Sequence, residues 1–115
     1  MKIQQIIEKV LSESKSVKDI AKELASSDWD MKDRVWVSGD TLEIADSFHL
    51  DGKRHLQNLI DSWTKPSGSH AKYFHDEYGI TFKLVKSDIQ TNAEGKYAKF
   101  AGKNMGAVVI FLKIH

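Results

Sequence analysis

The loop between residues 65 and 70 has the composition of a small anion site. It precedes a segment with helical periodicity, and free N–H groups at a helix start attract anions. The turn before the last apolar run offers a second polar loop. The predicted anion- or ligand-binding residues of the two loops are Lys65, Ser67, Gly68, Ser69, His70, Lys103 and Asn104. One hypothesis is therefore a small enzyme acting on an anionic or phosphorylated ligand, although the glycine spacing is not that of a phosphate-binding loop.

An acidic segment around two tryptophans is a second candidate surface. Residues 28–51 contain seven acidic side chains against Lys32 and Arg34, a net charge of −5. Tryptophan is enriched among the residues that dominate protein–protein binding. The predicted partner-binding residues are Asp28, Trp29, Asp30, Asp33 and Trp36.

The C-terminal third is basic. Residues 79–115 contain six lysines against Asp88 and Glu94, a net charge of +4. Aromatic side chains near lysines can stack on bases, which makes a nucleic-acid-binding module an alternative. The candidate aromatics are Tyr73, Tyr78, Tyr97 and Phe100. The net charge of the whole chain is only +1, which does not favour a dedicated nucleic-acid binder, and the two charged segments could instead face each other or be solvated.

Spacings typical of catalysis or metal binding are not found in the sequence. The chain contains no cysteine, which excludes thiolate chemistry and suits a reducing compartment. His70 and His75 are five residues apart, whereas a helical zinc site places its histidines four apart. No serine lies in the glycine-flanked turn of a hydrolase nucleophile. The sequence therefore predicts no catalytic residue, no metal and no cofactor.

These candidate residues must be positioned by a fold built around residues 107–114. Seven of these eight residues are apolar, and both alternating faces of the run are apolar. A strand of this kind needs cover on both sides, so it is predicted to be an interior strand of a sheet.

The N-terminal 26 residues are predicted to be helical. Ser16 and Asp19 have the spacing of a capping box, which favours two helices with a boundary there. A single long helix is the alternative, because four apolar residues repeat every seven positions. These are Ile3, Val10, Val17 and Leu24. The apolar stripe could also pair two copies of the chain.

The remaining segments alternate between strands and helices. A hairpin is predicted at 35–44. Beyond it, Asp46 interrupts an apolar face, which indicates either a bulge or a functional site, and a bulge near Ala45 is the preferred interpretation. Helices capped by Asp51 and Ser69 follow, and then strands that begin near Ile80, at 97–101 and at 107. The predicted fold is α+β, with an antiparallel sheet of about five strands, two N-terminal helices and two helices inserted between strands 2 and 3. At 115 residues this is a single domain, with a helical segment at 1–26 and a sheet-containing core at 34–115.

The N-terminal stretch resembles a known type of leader. Met1-Lys2 is followed by an amphipathic stretch ending Leu11-Ser12-Glu13, which is similar to the capsid-targeting leader of internal head proteins of large tailed phages. The resemblance implies cleavage after a glutamate, and Ile6-Ile7-Glu8 also fits the Leu/Ile-x-Glu pattern. It further implies a packaged virion protein or an inhibitor of a host enzyme, located in the virion interior or the host cytoplasm.

The first functional hypothesis is a small non-enzymatic protein-interaction module, because no catalytic pattern is present. No apolar run approaches the roughly 20 residues of a membrane helix. The first residues are interrupted by polar side chains and do not form the apolar region of a signal peptide. The sequence therefore predicts a soluble cytoplasmic protein that does not engage a membrane.

Overall fold

The computed structural model describes residues 16–26, 31–92 and 94–115. Within these residues the chain forms three α-helices, four strands and one 3₁₀ helix. In chain order they are α1 (Val17–Leu24), β1 (Val35–Ser38), β2 (Thr41–His49), α2 (Gly52–Thr64), α3 (Ser69–Tyr78), β3 (Phe82–Gln90), the 3₁₀ helix (Gly95–Phe100) and β4 (Met105–Ile114).

The four strands form one antiparallel sheet in the order β1-β2-β4-β3. The predicted interior position of the C-terminal strand is confirmed, because β4 pairs with β2 on one side and β3 on the other. The residues from Ala107 to Ile110 are at most 2% exposed, so both faces of this strand are covered. The order of the strands explains why β4 lacks polar residues along most of its length.

The main core lies between one face of the sheet and the three α-helices. Alternate residues of β2 and β4 point into it, and the helices supply large side chains that are fully buried. Its fully buried members are Ile20, Leu24, Leu42, Ile44, Trp63, Phe74, Ile110 and Leu112. Burying side chains of this size contributes roughly 1.5–3 kcal/mol each, which makes this layer the main source of stability.

The predicted hairpin and its turn are confirmed. β1 and β2 pair from Val35 with Ile44 to Ser38 with Thr41. Gly39 has φ +62°, a conformation that glycine adopts without a steric penalty. The predicted bulge near Ala45 is wrong, since β2 pairs with β4 without interruption from Leu42 to His49. The irregularity of the sheet lies instead in β3, between Leu84 and Lys86.

The α+β class and the antiparallel sheet are confirmed, but the expectation of about five strands is wrong. The segment predicted as a strand at 97–101 belongs to the 3₁₀ helix. In a 3₁₀ helix, residues i and i+3 lie on the same side, whereas a strand would send them to opposite faces. Tyr97 and Phe100 are three apart and both pack on the sheet, and this requirement favours the helical turn.

The start of α1 at Ser16 agrees with the predicted helix boundary. Ser16 is extended, its hydroxyl oxygen accepts from the backbone N–H of Asp19, and the Asp19 carboxylate accepts from the Ser16 N–H. A continuous helix through this position is therefore not formed. The first predicted helix lies outside the described residues. Val17, Ile20 and Leu24 are buried within the domain, so this half of the apolar stripe is not free to pair two copies.

The two helices inserted between β2 and β3 are confirmed. The Asp51 carboxylate caps α2 by accepting from the N–H of Arg54, at 3.1 Å. The N-cap of α3 is Gly68, and Ser69, the predicted cap, is the first helical residue. Gly79 ends α3 in the left-handed conformation, with φ +67°.

Candidate functional site: the open face of the sheet

The face of the sheet opposite the α-helices is the candidate functional site, and we call it the open face. In the described residues, its cover is the 3₁₀ helix, which crosses β2 and β4. Phe100 anchors this helix on Ala45, Ala107 and Val109. Elsewhere on this face, Trp36 and Phe111 are half-buried and Lys86 is exposed.

One row of residues crosses the open face from edge to edge. Trp36 on β1 pairs with Glu43 on β2, Glu43 pairs with Phe111 on β4, and Phe111 pairs with Lys86 on β3. Neighbouring strands are about 4.8 Å apart, so the two aromatic residues are separated by about 10 Å. The row therefore presents two aromatic side chains with a carboxylate between them.

The carboxylate of Glu43 is buried and is bound by a lysine and a tyrosine. Glu43 is 7% exposed, and it is the buried charged residue of the described core. Lys96 Nζ lies 2.7 Å from Glu43 Oε1, and the Tyr97 hydroxyl donates to Oε2. Burial, and then the nearby Glu43 carboxylate, raise the pKa of Tyr97 above its usual value, so the phenol stays protonated and remains a donor. The cluster fixes the 3₁₀ helix to β2.

Lysine ammonium groups lie over the aromatic rings of this face. Lys86 Nζ is 4.6 Å from the centroid of the Phe111 ring. Lys96 Nζ and Lys99 Nζ are 4.6 and 5.4 Å from the Trp36 ring. Trp36 also makes an edge-to-face contact with Tyr97, with 5.6 Å between ring centroids. These distances are those of cation–π contacts, which hold the cations at the ring faces.

Two shallow grooves flank the 3₁₀ helix. The groove on the β3 side has a volume of about 340 Å³ and is lined by Lys86, Tyr97 and Phe111, among others. The groove on the β1 side has a volume of about 330 Å³, and its lining includes Arg34 and Lys99. Both grooves combine aromatic side chains with cations.

The two charged segments of the sequence do face each other, because β2 and β4 are neighbours in the sheet. Lys96 pairs with Glu43, and Lys113 Nζ lies 3.7 Å from Asp40 Oδ2. Lys83, Lys86 and Lys99 make no ion pair with any residue that the structure describes. The grooves also contain two exposed acids, Asp88 and Asp33, so the three unpaired lysines leave this face with a small excess of positive charge.

The 65–70 loop does not gather its predicted residues around a shared space. Lys65 pairs with Asp61, with 3.4 Å between Nζ and Oδ2. The His70 ring stacks on Trp63 at 4.3 Å, and burial lowers the pKa of His70, which favours the neutral ring. Gly68 lies against the backbone carbonyl groups of Asp61 and Ser62, which carry the negative end of α2. These contacts do not favour an anion at this loop.

Lys103 and Asn104 lie at the other end of α2 from the 65–70 loop. The Leu50 N–H donates to the Asn104 carbonyl oxygen at 2.9 Å, next to the start of α2. The 13 residues of α2 span about 20 Å, so the two predicted loops cannot share one small ligand.

The predicted partner-binding residues are only partly placed. Residues 28–30, which include Asp28, Trp29 and Asp30, lie outside the described residues. Asp33 is exposed beside β1, and Trp36 is half-buried in the row on the open face. The predicted stacking residues are also divided, because Tyr73 and Tyr78 on α3 donate to Glu23 Oε1 at 2.6 and 2.9 Å on the helix side.

Asp46 forms a polar cluster on the helix side, at the edge of β2. Its carboxylate accepts from Arg34 Nη1 at 3.1 Å and lies 2.9 Å from His55 Nε2. No group of three potential metal ligands is found in the part of the chain that the structure describes. The cluster ties α2 to the end of β2.

Comparisons with known proteins do not identify a relative. No family model, curated protein or solved structure matches this chain. Among the described helices, none has both the length and the apolar character that crossing a membrane requires.

Sequence reasoning missed the residues that define the open face. Glu43 and Phe111 were not singled out, and Lys86 was counted only as part of a basic segment. The sequence pattern gives no signal for Glu43, because it alternates with Leu42 and Ile44 and an acid at such a position normally faces solvent. The cross-strand register that joins these residues depends on long-range pairing, which the sequence pattern does not specify.

Proposed function

We propose that this protein is a non-enzymatic binding module and that its open face binds nucleic acid. The observation that carries the proposal is the set of lysines over Phe111 and Trp36 on one accessible face. Cations supply most nucleic-acid affinity, and aromatic rings contribute by stacking on bases. The near-neutral charge of the whole chain does not oppose this, because the acids of the helix side lie behind the sheet.

The proposal can be tested with two matched sets of charge reversals. The first set changes Lys83, Lys86 and Lys99 on or beside the open face to glutamate. The second changes Lys18, Lys53 and Lys72, exposed lysines of the three helices, in the same way. Both variants have a net charge of −5, compared with +1 for the natural chain. Equal oligonucleotide affinity of the two variants would show that binding depends only on the net charge of the protein.

Binding is measured by fluorescence anisotropy of a labelled oligonucleotide at several salt concentrations. We expect the first variant to lose at least about tenfold in affinity and its salt slope to fall by about two, since each phosphate contact on a single strand contributes about 0.7. The second variant should retain the salt slope of the natural protein. Absence of any salt-sensitive binding by the natural protein would reject the proposal.

Interaction with a protein partner is a second proposal. The observation that favours it is Trp36, a half-buried tryptophan on the edge strand β1, three residues after the exposed Asp33. A native pulldown with the natural chain and a Trp36→Ala variant tests it, with Trp63→Phe as a control inside the core. A partner that binds the Trp36→Ala variant as well as it binds the natural chain would exclude Trp36 as its contact.

We also propose that the N-terminal stretch, which resembles a phage capsid leader, is removed by cleavage after a glutamate. Both candidate cleavage points, after Glu8 and after Glu13, precede Ser16, the cap of α1. Removal of the leader would therefore remove none of the described residues. An intact-mass measurement on protein from its native source tests this, and a full-length mass would reject it.

A further inference from the structure

The two aromatic rings of the open face distinguish between kinds of nucleic acid. Phe111 and Trp36 belong to one cross-strand row and are separated by two strand spacings, about 10 Å. Stacked bases in a duplex follow one another every 3.4 Å along the axis. Bases that reach both rings must therefore be separated from each other, which requires an unpaired and extended strand.

Each ring has a cation at its face that can move. Lys86 over Phe111 and Lys99 over Trp36 have no ion-pair partner among the described residues. A lysine side chain is long and flexible, and its cation–π contact at an exposed site is weaker than base–aromatic stacking. A base can therefore displace the ammonium group from the ring, and the freed cation can reach the phosphate next to that base.

The region between the rings does not repel a phosphate backbone. Glu43, the acid in the middle of the row, is 7% exposed and is bound by Lys96 and Tyr97. Asp88 is the exposed acid of the β3-side groove, where it accepts from the side-chain amide of Gln90 at 2.6 Å. Its carboxylate, and that of the exposed Asp33 in the β1-side groove, should weaken binding.

We propose, on the basis of the nucleic-acid binding proposed above, that the open face takes an unpaired strand and stacks one base on Phe111 and another on Trp36. Lys86 and Lys99 leave the ring faces on binding and contact the neighbouring phosphates. Lys96 also lies over Trp36, at 4.6 Å from the ring centroid, and it remains there because Glu43 holds it. The base on Trp36 therefore occupies the part of the ring that Lys99 leaves.

The test compares three labelled polymers of equal length with the natural protein. They are an intact single-stranded 12-mer, an abasic strand with the same phosphates, and a duplex. We expect the intact strand to bind about tenfold or more tightly than the other two, because stacking of two bases adds to the charge term.

Two variants separate stacking from charge. Phe111→Leu and Trp36→Leu should each weaken binding of the intact strand about 5- to 10-fold and leave binding of the abasic strand unchanged. Inorganic polyphosphate provides a second control, which both variants should bind like the natural protein. Asp88→Asn, which removes one negative charge with little change in shape, should strengthen binding of all the polymers, the abasic strand included.

The outcomes separate this inference from the proposed function. Equal affinity for intact and abasic strands, together with salt-sensitive binding, would overturn the stacking arrangement and leave nucleic-acid binding by charge alone. Preference for the duplex would also overturn it. Absence of binding to every polymer would remove both proposals.

Discussion

Glu43 shows how a single buried charge can determine the placement of an element. The carboxylate is on a sheet face with little cover, yet it is 7% exposed because the 3₁₀ helix brings Lys96 and Tyr97 to it. A buried carboxylate without partners would be strongly unfavourable. The position of the 3₁₀ helix is therefore set by a polar contact as well as by Phe100.

Replacement of Tyr97 by phenylalanine should destabilise the fold. The substitution removes one donor to a buried carboxylate and leaves Lys96 in place, so we expect a loss of about 1–2 kcal/mol. Urea denaturation measures it, with Lys99→Met on the exposed side of the same helix as the control, expected within about 0.5 kcal/mol of the natural protein. A loss no larger than that of the control would show that Lys96 alone satisfies Glu43.

His70 should make stability depend on pH. Burial lowers the pKa of His70 below its unfolded value of 6.5, so the unfolded chain binds more protons than the folded chain just below pH 6.5. The stability that the neutral His70 contributes is fully present above pH 6.5, and it is lost as the pH falls below that value. The change in unfolding free energy between pH 7.5 and pH 5 should be smaller in His70→Phe, which keeps a ring on Trp63. The same substitution at the exposed His75 is the matched control, and an unchanged slope in His70→Phe would contradict the prediction.

At the scale of elements, the close approach of α2 to the start of α3 depends on Gly68. A Cβ atom at this position would overlap the backbone carbonyl groups of Asp61 and Ser62, which are at the end of α2. Gly68 has an ordinary φ of −67°, so the requirement is one of space and not of backbone conformation. Neither helix can move away freely, because Trp63 and Phe74 anchor them in the core.

Gly68→Ala should therefore destabilise the protein more than Gly79→Ala does. At Gly79 an added Cβ meets nothing within 4 Å, and the cost is that of a positive φ, about 1 kcal/mol. At Gly68 the two helices must shift, and we expect a loss of about 2–3 kcal/mol. Thermal or urea unfolding of the two variants checks the order, and the reverse order would show that this turn relaxes easily.

The elements differ in how well the sequence predicted them. The capping box at Ser16, the helix end at Gly79 and the hairpin at Gly39 depend on neighbouring residues, and these local signals gave correct predictions. The 3₁₀ helix was predicted as a strand. Its form depends on the contact between Tyr97 and Glu43, 54 positions earlier in the chain, and neighbouring residues do not reveal such a contact. The expected bulge at Ala45 was wrong because Arg34 and His55 bind Asp46 without any interruption of the strand.

At the scale of the whole molecule, β4 was predictable and the open face was not. A run that is apolar on both alternating faces specifies an interior strand without knowledge of its neighbours. The row from Trp36 to Lys86 brings together residues from four strands, and its members become neighbours only when the order β1-β2-β4-β3 is set. The candidate site is therefore a product of topology.

Hydrogen exchange should reflect this order of strands. The amides of β4, which has partner strands on both sides over most of its length, should exchange most slowly, together with those of β2 at 42–44, where β1 and β4 both pair with it. The 3₁₀ helix should exchange early, because its hydrogen-bonded run is six residues long and its outer side is exposed. Exchange measured by mass spectrometry on peptic fragments tests this, and slower exchange in β3 than in β4 would contradict the assigned order.

The irregularity in β3 has a consequence for association of the chain with itself. β3 is nine residues long and borders the sheet, a position where unpaired backbone groups can recruit a strand from another molecule. The break in register leaves Val85 about half exposed, and Lys83 and Lys86 flank it. A kinked border with a cation on each side of the kink is a poor template for an incoming strand, so the sheet is protected against growth into fibrils along its longest free margin.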